Sequence, residues 1–266
     1  MRRFGVWWMV VLLCVPTGAA ALNLLPAPKG LDARKIASHV EDIFRGKTSY
    51  VEGTMIVRSP RLPEPRRVHL RMWDDRPRHR SFIRILAPPK DKGMGFLKLH
   101  PNLWNYIPRV ERTVRIPPSM MLQSWMGSDF TNDDLVRDSS QLDDYDHALL
   151  GLDPALPGED GAPSIVLSYR PHEDAPVVWG RIETWVDAKR YAPLRQDFYD
   201  EDGVPLRRIR FSEIRDVQGR PYPHRWSMTP LDKPGHETII EISEVRFDEH
   251  FDDGIFTKRN LVRGER

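Results

Sequence analysis

The stretch Ser119–Phe130 carries the side chains best suited to binding an apolar ligand. Its sequence, SMMLQSWMGSDF, places three of the chain's nine methionines and one tryptophan within seven residues. Methionine is unbranched and polarizable, so it suits surfaces that repack around apolar molecules of variable shape. A small core helix is the alternative interpretation. The candidate ligand-binding side chains of this stretch are Met120, Met121, Leu122, Trp125, Met126 and Phe130.

Catalytic and metal-binding chemistry has little support in the sequence. None of the nine histidines forms the i, i+4 pair of a helical metal site, and the HExxH and GxSxG motifs are absent. The acidic run 248–253 lacks the spacing of a calcium loop, so a solvated turn is the simpler interpretation. We therefore predict no enzyme activity, no cofactor and no metal. A hydrolase would require serine, histidine and aspartate side chains to converge on folding.

Residues 1–21 have the layout of a secretory signal peptide. Arg2 and Arg3 precede a short apolar run, and alanines follow it. That run is shorter than the about 20 apolar residues of a membrane-spanning helix. The sole cysteine, Cys14, lies inside the run and follows Leu13 rather than a small residue. We interpret it as part of the removed peptide and not as a lipid-attachment site.

The expected mature chain is one domain, residues 22–266. Loss of Arg2 and Arg3 takes the formal net charge from +2 to zero. A neutral chain has no electrostatic case for nucleic acid, which requires a basic surface. The length suits a single large β-sandwich or barrel.

The pattern predicts an N-terminal helix followed by a large antiparallel sheet. Ile36, Val40 and Ile43 recur at helical spacing, with Asp32 as cap and Gly46 as the end. Further along are eleven strand-length runs, and most of them alternate apolar and charged residues, as expected of strands with one wet face. They are 50–57, 67–73, 80–86, 94–99, 109–116, 164–170, 179–186, 194–200, 206–214, 224–229 and 238–247. Many strands without βαβ alternation indicate a barrel or a strongly curved sheet.

Residues 119–152 interrupt the strand pattern. The sequence predicts a helix over 119–126, a second short helix after the cap Thr131, and a third turn over 143–151. A helical insertion in the middle of a β-meander is where a lid over the sheet would lie.

The block Lys92–Leu135 resembles the periplasmic outer membrane lipoprotein-sorting proteins, in the LolA-like branch that includes the treponemal lipoprotein-type domain. Later segments, 183–203 and 252–261, resemble that family's hairpin and closing segment. The matching residues of the central block are Lys92, Gly93, Leu103, Trp104, Tyr106, Pro108, Met126 to Phe130, Asp134 and Leu135.

The resemblance implies a mainly β fold: an unclosed antiparallel β-barrel of about 11 strands. An N-terminal helix and a short helical lid would enclose a hydrophobic cavity. It also implies a periplasmic carrier of lipid or acylated lipoprotein toward the outer membrane, with transient membrane contact. An inner-membrane transporter of RND or ABC type is the implied partner. The further cavity candidates are Met94, Phe96, Trp104 and Tyr106.

The sequence supports two candidate functions. The first is a carrier, in which each methylene removed from water contributes about 0.8 kcal/mol. The second is a non-carrier accessory subunit that docks on an RND-type or related export complex and fills its interior with its own side chains. An open or a packed interior distinguishes the two.

Overall fold

The structure is a computed structural model that describes residues 23–136, 141–175 and 177–263. The predicted signal peptide lies outside the described residues. The α-helices are α1 Ala33–Phe44, α2 Asn132–Val136 and α3 Lys258–Arg263. The strands are β1 Thr48–Arg58, β2 Arg66–Asp75, β3 Arg80–Ala87, β4 Gly95–Leu99, β5 Asn102–Ile107, β6 Arg112–Ile116, β7 Tyr145–Pro157, β8 Pro163–Pro171, β9 Arg181–Val186, β10 Pro193–Tyr199, β11 Pro205–Val217, β12 Arg220–Pro230 and β13 Glu237–Phe247.

All thirteen strands form one sheet, in the order β6-β5-β4-β3-β2-β1-β13-β12-β11-β10-β9-β8-β7. Each neighbouring pair is antiparallel, and β1 joins the two halves by pairing with β13. Within the described residues β6 and β7 are the two edges and do not pair with each other. The unclosed antiparallel sheet predicted from the sequence is therefore confirmed, with two more strands than expected.

The two additional strands are β5 and β7. The sequence of β5, NLWNYI, has no alternation of apolar and charged residues. In β7 the register shifts between Leu149 and Gly151 and again between Asp153 and Pro157. Such bulges break the two-residue period that marks a strand. The turn predicted over 143–151 is therefore wrong, because most of that stretch belongs to β7.

Helix α1 forms where the sequence predicts it. Asp32 accepts a hydrogen bond from the Lys35 amide at 3.1 Å and so satisfies one of the unpaired donors of the first turn. Ile36, Val40 and Ile43 are buried, and the helix packs on β7 and β12. Each such aliphatic side chain contributes roughly 1.5–3 kcal/mol by leaving water.

The sheet is covered on both faces. We call the face under α1 the inner face; on β1 it carries Val51, Met55 and Val57. The opposite, outer face of β1–β5 carries an aromatic cluster that the C-terminal residues Phe256 and Leu261 cover. Because side chains alternate along each strand, successive residues pack either under α1 on the inner face or under the C-terminal residues on the outer face.

The connection between β6 and β7 lies on the inner face, and we call the first of its two described parts, residues 117–136, the crossing segment. It contains α2, and the Thr131 hydroxyl accepts from the Asp134 amide at 3.2 Å, as a capping residue does. The helix predicted over 119–126 is instead two 3₁₀ turns, Pro118–Met120 and Trp125–Gly127. Met126 and Gly127 both have positive φ, at 50° and 71°, which stops a helix there. No described helix has the length and hydrophobicity needed to cross a membrane.

Candidate functional site

A cavity of ≈ 260 Å³ lies between α1, the crossing segment and the inner face of β9–β12. Its wall is mostly aromatic and aliphatic. The side chains that form the apolar part include Phe130, Trp179, Phe198, Ile209, Phe211 and Trp226. The interior is therefore open rather than fully packed.

Strand alternation directs these side chains inward. On β11, Ile209 and Phe211 share one face, and in the register they lie opposite Met228 and Trp226 of β12. Phe44 of α1 closes this corner, with its ring 5.2 Å from the rings of both Phe211 and Trp226. Aromatic pairs at such distances are favourable beyond their buried area, so the wall is fixed.

An ion pair between Arg207 and Asp134 lies in the cavity wall. Arg207 of β11 donates from Nη1 to both carboxylate oxygens of Asp134 in α2, each at 3.1 Å. The arginine side chain is 12% exposed and the aspartate 20%. The guanidinium also lies 4.5 Å from the ring centre of Trp179 and 4.3 Å from that of Phe198. The pair is thus a charged group set among aromatic side chains.

A second polar group in the wall is neutral. The Gln196 side-chain amide donates to Gln141 Oε1 and to Thr184 Oγ1, each at 3.1 Å. Gln196 belongs to β10, whereas Gln141 belongs to the connection between β6 and β7. This hydrogen bond and the Arg207–Asp134 pair both join the sheet to that connection.

A second cavity of ≈ 230 Å³ shares Asp134, Trp179 and Arg207 with the first. The ion pair therefore lies in the wall common to both. Leu122, 68% exposed, and Val178 border the second cavity, and Met120 is also exposed on the crossing segment. Large apolar side chains grouped at a cavity entrance are typical of a contact surface.

The residues predicted from the sequence separate into three places. Of the ten, Phe130 lines the first cavity and Leu122 the second. Trp125 is 4% exposed and packs edge-on against Phe96, with ring centres 5.5 Å apart. Met94, Met121 and Met126 pack on that same inner-face cluster, away from both cavities.

Trp104 and Tyr106 lie on the outer face. They belong to the aromatic cluster under the C-terminal residues, and the Lys258 ammonium lies 3.5 Å from the Trp104 ring centre. The sheet therefore separates them from the two cavities. The assignment of the ten residues to ligand binding stays a prediction.

Sequence reasoning missed the main wall of the first cavity. The run LRRIRF on β11 contains a sequence signal for this wall. In it, Arg207 lies at the same alternate positions as Ile209 and Phe211 and so shares their face of the strand. An arginine in the apolar register points into the interior, where an unpaired charge is costly. Its partner Asp134 lies 73 residues away in sequence, so no local pattern reveals the pair.

A serine, a histidine and an aspartate do converge, as a hydrolase would require. Ser59 Oγ lies 3.3 Å from His236 Nε2, and His236 Nδ1 lies 3.5 Å from Asp129 Oδ1. Both contacts are longer than the about 2.6–3.2 Å of an activated nucleophile and its base. Ser59 Oγ also accepts from the Arg61 amide at 3.3 Å, and Asp129 accepts a shorter bond, 2.7 Å, from Thr238. These contacts tie the β1–β2 and β12–β13 turns to the crossing segment.

Metal chemistry has no candidate centre in the described ranges: no three His, Cys, Asp or Glu side chains group suitably there. The acidic run 248–253 serves the fold instead. Asp248 accepts from the Lys47 amide at 2.6 Å and from Arg220 at 2.8 Å, whereas Asp253 accepts from Arg78 at 2.9 Å.

The buried carboxylate of Asp197 stabilises the outer face. It is 1% exposed, and both Arg195 and Arg208 bind it through two nitrogens. Burial alone would raise the pKa of Asp197, but the hydrogen bonds from Arg208 and Arg195 outweigh burial and lower that pKa. The carboxylate therefore stays ionised in the folded chain.

The fold defines the class of protein. A structure of a DUF1329 family protein from Desulfovibrio piger matches with a TM-score of 0.73 and 22% identity, covering 86% of this chain and 97% of that one. A domain from Vibrio parahaemolyticus described as outer membrane lipoprotein-sorting gives 0.71 and 23%, covering 87% and 98%. A LolA superfamily protein from Nitrosomonas europaea gives 0.68 and 21%, covering 86% and 99%. The resemblance to the lipoprotein-sorting proteins is confirmed for the fold.

A family model whose description is "Uncharacterized protein" matches residues 77–263. The chain belongs to that family and has the fold of the outer membrane lipoprotein-sorting, or LolA, superfamily. No curated protein matches the sequence significantly.

Proposed function

We propose that this protein is a periplasmic carrier that sequesters the apolar chain of a lipid, or of an acylated lipoprotein, in the cavity under α1. The observation that carries the proposal is the open cavity of ≈ 260 Å³ with an aromatic and aliphatic wall. Its residues come from α1, five strands and the crossing segment, so movement of one element can admit a chain.

The size of the cavity sets the scale of binding. If a methylene group takes about the volume of a water molecule, roughly 30 Å³, the cavity holds about nine of them. At about 0.8 kcal/mol per methylene, the gain is on the order of 7 kcal/mol before ordering costs. This gain suits reversible binding and needs no catalytic group.

The location and partners belong to the same proposal. The signal-peptide layout of residues 1–21 and the lipoprotein-sorting fold support the periplasm and transport toward the outer membrane. The exposed side chains of Met120, Leu122 and Val178 offer an apolar surface for transient contact with a membrane or with an RND-type or ABC-type transporter. The same surface suits the alternative function, an accessory subunit that carries no cargo.

A matched pair of substitutions tests the carrier function. Val40 lines the cavity, whereas Val204 is exposed in the turn before β11. Val40→Phe fills part of the cavity and should weaken binding of a fluorescent fatty-acyl probe about tenfold or more, because several methylene groups of the acyl chain no longer fit inside it. Val204→Phe should bind the probe as the unmodified protein does. Equal probe binding by both variants, with both folded by circular dichroism, would rule out this cavity as the binding site.

A further inference from the structure

Arg207 is the fixed half of the ion pair in the cavity wall. It belongs to β11 and lies in the part of that strand that pairs with both β10 and β12. Phe198 lies directly opposite it in the register, and the rings of Phe198 and Trp179 hold the guanidinium plane. A ligand that enters the cavity therefore meets this cation in a set position.

Asp134 is the replaceable half. It belongs to α2, a helix of five residues in the crossing segment. Its Oδ2 also accepts hydrogen bonds from the Thr131 amide at 2.9 Å and the Thr131 hydroxyl at 3.0 Å. The carboxylate thus keeps two donors when another anion displaces it from Arg207, and the second cavity lies beside it.

From this asymmetry we propose that the cavity selects an amphiphile with one apolar chain and an anionic head group, which binds Arg207 in place of Asp134. The inference rests on the proposed carrier function and adds the class of cargo. Carboxylate and phosphate share the required chemistry, since both accept paired hydrogen bonds from guanidinium. A volume of ≈ 260 Å³ suits one chain rather than the several chains of a fully acylated lipoprotein.

The test compares ligands of equal chain length and different head group. Dodecanoate and dodecyl phosphate are the anionic probes, methyl dodecanoate is the neutral probe, and dodecyltrimethylammonium is the cationic one. Acetate and inorganic phosphate show whether a head group binds without a chain. Each is titrated by calorimetry at neutral pH, below its micelle concentration, into the mature protein.

Substitutions assign the selectivity to the ion pair. The unmodified protein should prefer the anionic probes over the methyl ester about tenfold, the worth of one hydrogen bond to a charged group. Arg207→Gln should remove this preference, so that the anionic probes and the methyl ester bind with similar affinity. Asp134→Asn should raise affinity for the anions several-fold, because it removes the competing charge. Arg215→Gln is the matched control, since Arg215 lies on the same strand in an exposed pair with Glu213.

The outcomes distinguish failure of the head-group selection from failure of the proposed carrier function. Equal affinity for anion, ester and cation would overturn the head-group selection and leave the carrier intact. Tighter binding of the cation would also overturn it. Absence of binding by every chain-bearing probe would overturn both. If Arg207→Gln fails to fold, an unchanged anion affinity in Asp134→Asn still contradicts the proposal.

Discussion

Arg207 and Asp134 join the two parts of the chain that border the cavity, through two hydrogen bonds of 3.1 Å. Arg207 belongs to the sheet and Asp134 to the crossing segment. Because β6 and β7 do not pair in the described residues, the sheet itself does not hold this segment over the cavity. Side-chain contacts such as this pair have that role.

Asp134→Asn should loosen the crossing segment without unfolding the sheet. The substitution weakens a charge-assisted hydrogen bond and should lower the free energy of unfolding by about 1–2 kcal/mol. Amide exchange should quicken at Asn132 and Asp133, whose N–H groups bond across the segment to Gln123 and Met121. Glu213→Gln, which breaks an exposed pair, should change stability by less than about 1 kcal/mol. Unchanged exchange at those two amides would show that the pair does not hold the segment.

Trp125 should behave as a core residue and Leu122 as a surface residue, although both lie on the crossing segment. Trp125→Ala removes a buried side chain that packs on Phe96 and should cost about 3–5 kcal/mol in urea unfolding. Leu122→Ala should cost about 0.5 kcal/mol or less, because that side chain is 68% exposed. Similar costs for the two would contradict the burial described here.

Asp197 should give the folded chain part of its sensitivity to acid. Its folded-state pKa is lowered, so its contribution is complete above the unfolded value of about 3.9 and is lost as pH falls through the folded value. Asp197→Asn leaves Arg195 and Arg208 without their anion and should cost about 3–5 kcal/mol at neutral pH. The variant's stability should then fall less steeply than that of the unmodified chain below about pH 4. Parallel curves of unfolding free energy against pH would contradict this role.

Ser59 should not act as a nucleophile. Its hydroxyl lies 3.3 Å from His236 Nε2, and His236 Nδ1 lies 3.5 Å from Asp129 Oδ1. A fluorophosphonate probe should therefore leave Ser59 unlabelled, and Ser59→Ala should not alter the rate of p-nitrophenyl ester hydrolysis. Hydrolysis that depends on both Ser59 and His236 would restore the hydrolase alternative.

Much of the fold could be predicted because its signals are local. Residues such as Ile36 and Val40 reveal α1 by their period, and most strands alternate cleanly. The crossing segment was harder. Composition does not distinguish methionines that line a cavity from methionines that pack a core, and Met121, Trp125 and Met126 belong to the core.

The site itself could be predicted only in part. Arg207 stands in the apolar register of β11, so its inward direction was readable from the sequence. The position of Trp179 beside it, and the return of Asp134 from 73 residues away, depend on how the crossing segment lies on the sheet. Those distances arise from the tertiary fold and leave no mark in a short window of sequence.

Native mass spectrometry of the protein purified from a periplasm, followed by extraction into organic solvent, tests the central claim most directly. The account predicts a discrete bound mass that extracts as a single-chain amphiphile. The Val40→Phe variant should lack this bound mass, and the Val204→Phe variant should retain it. A clean unliganded mass for the unmodified protein, with no uptake of added acyl probes, would contradict the carrier function and favour the docking subunit.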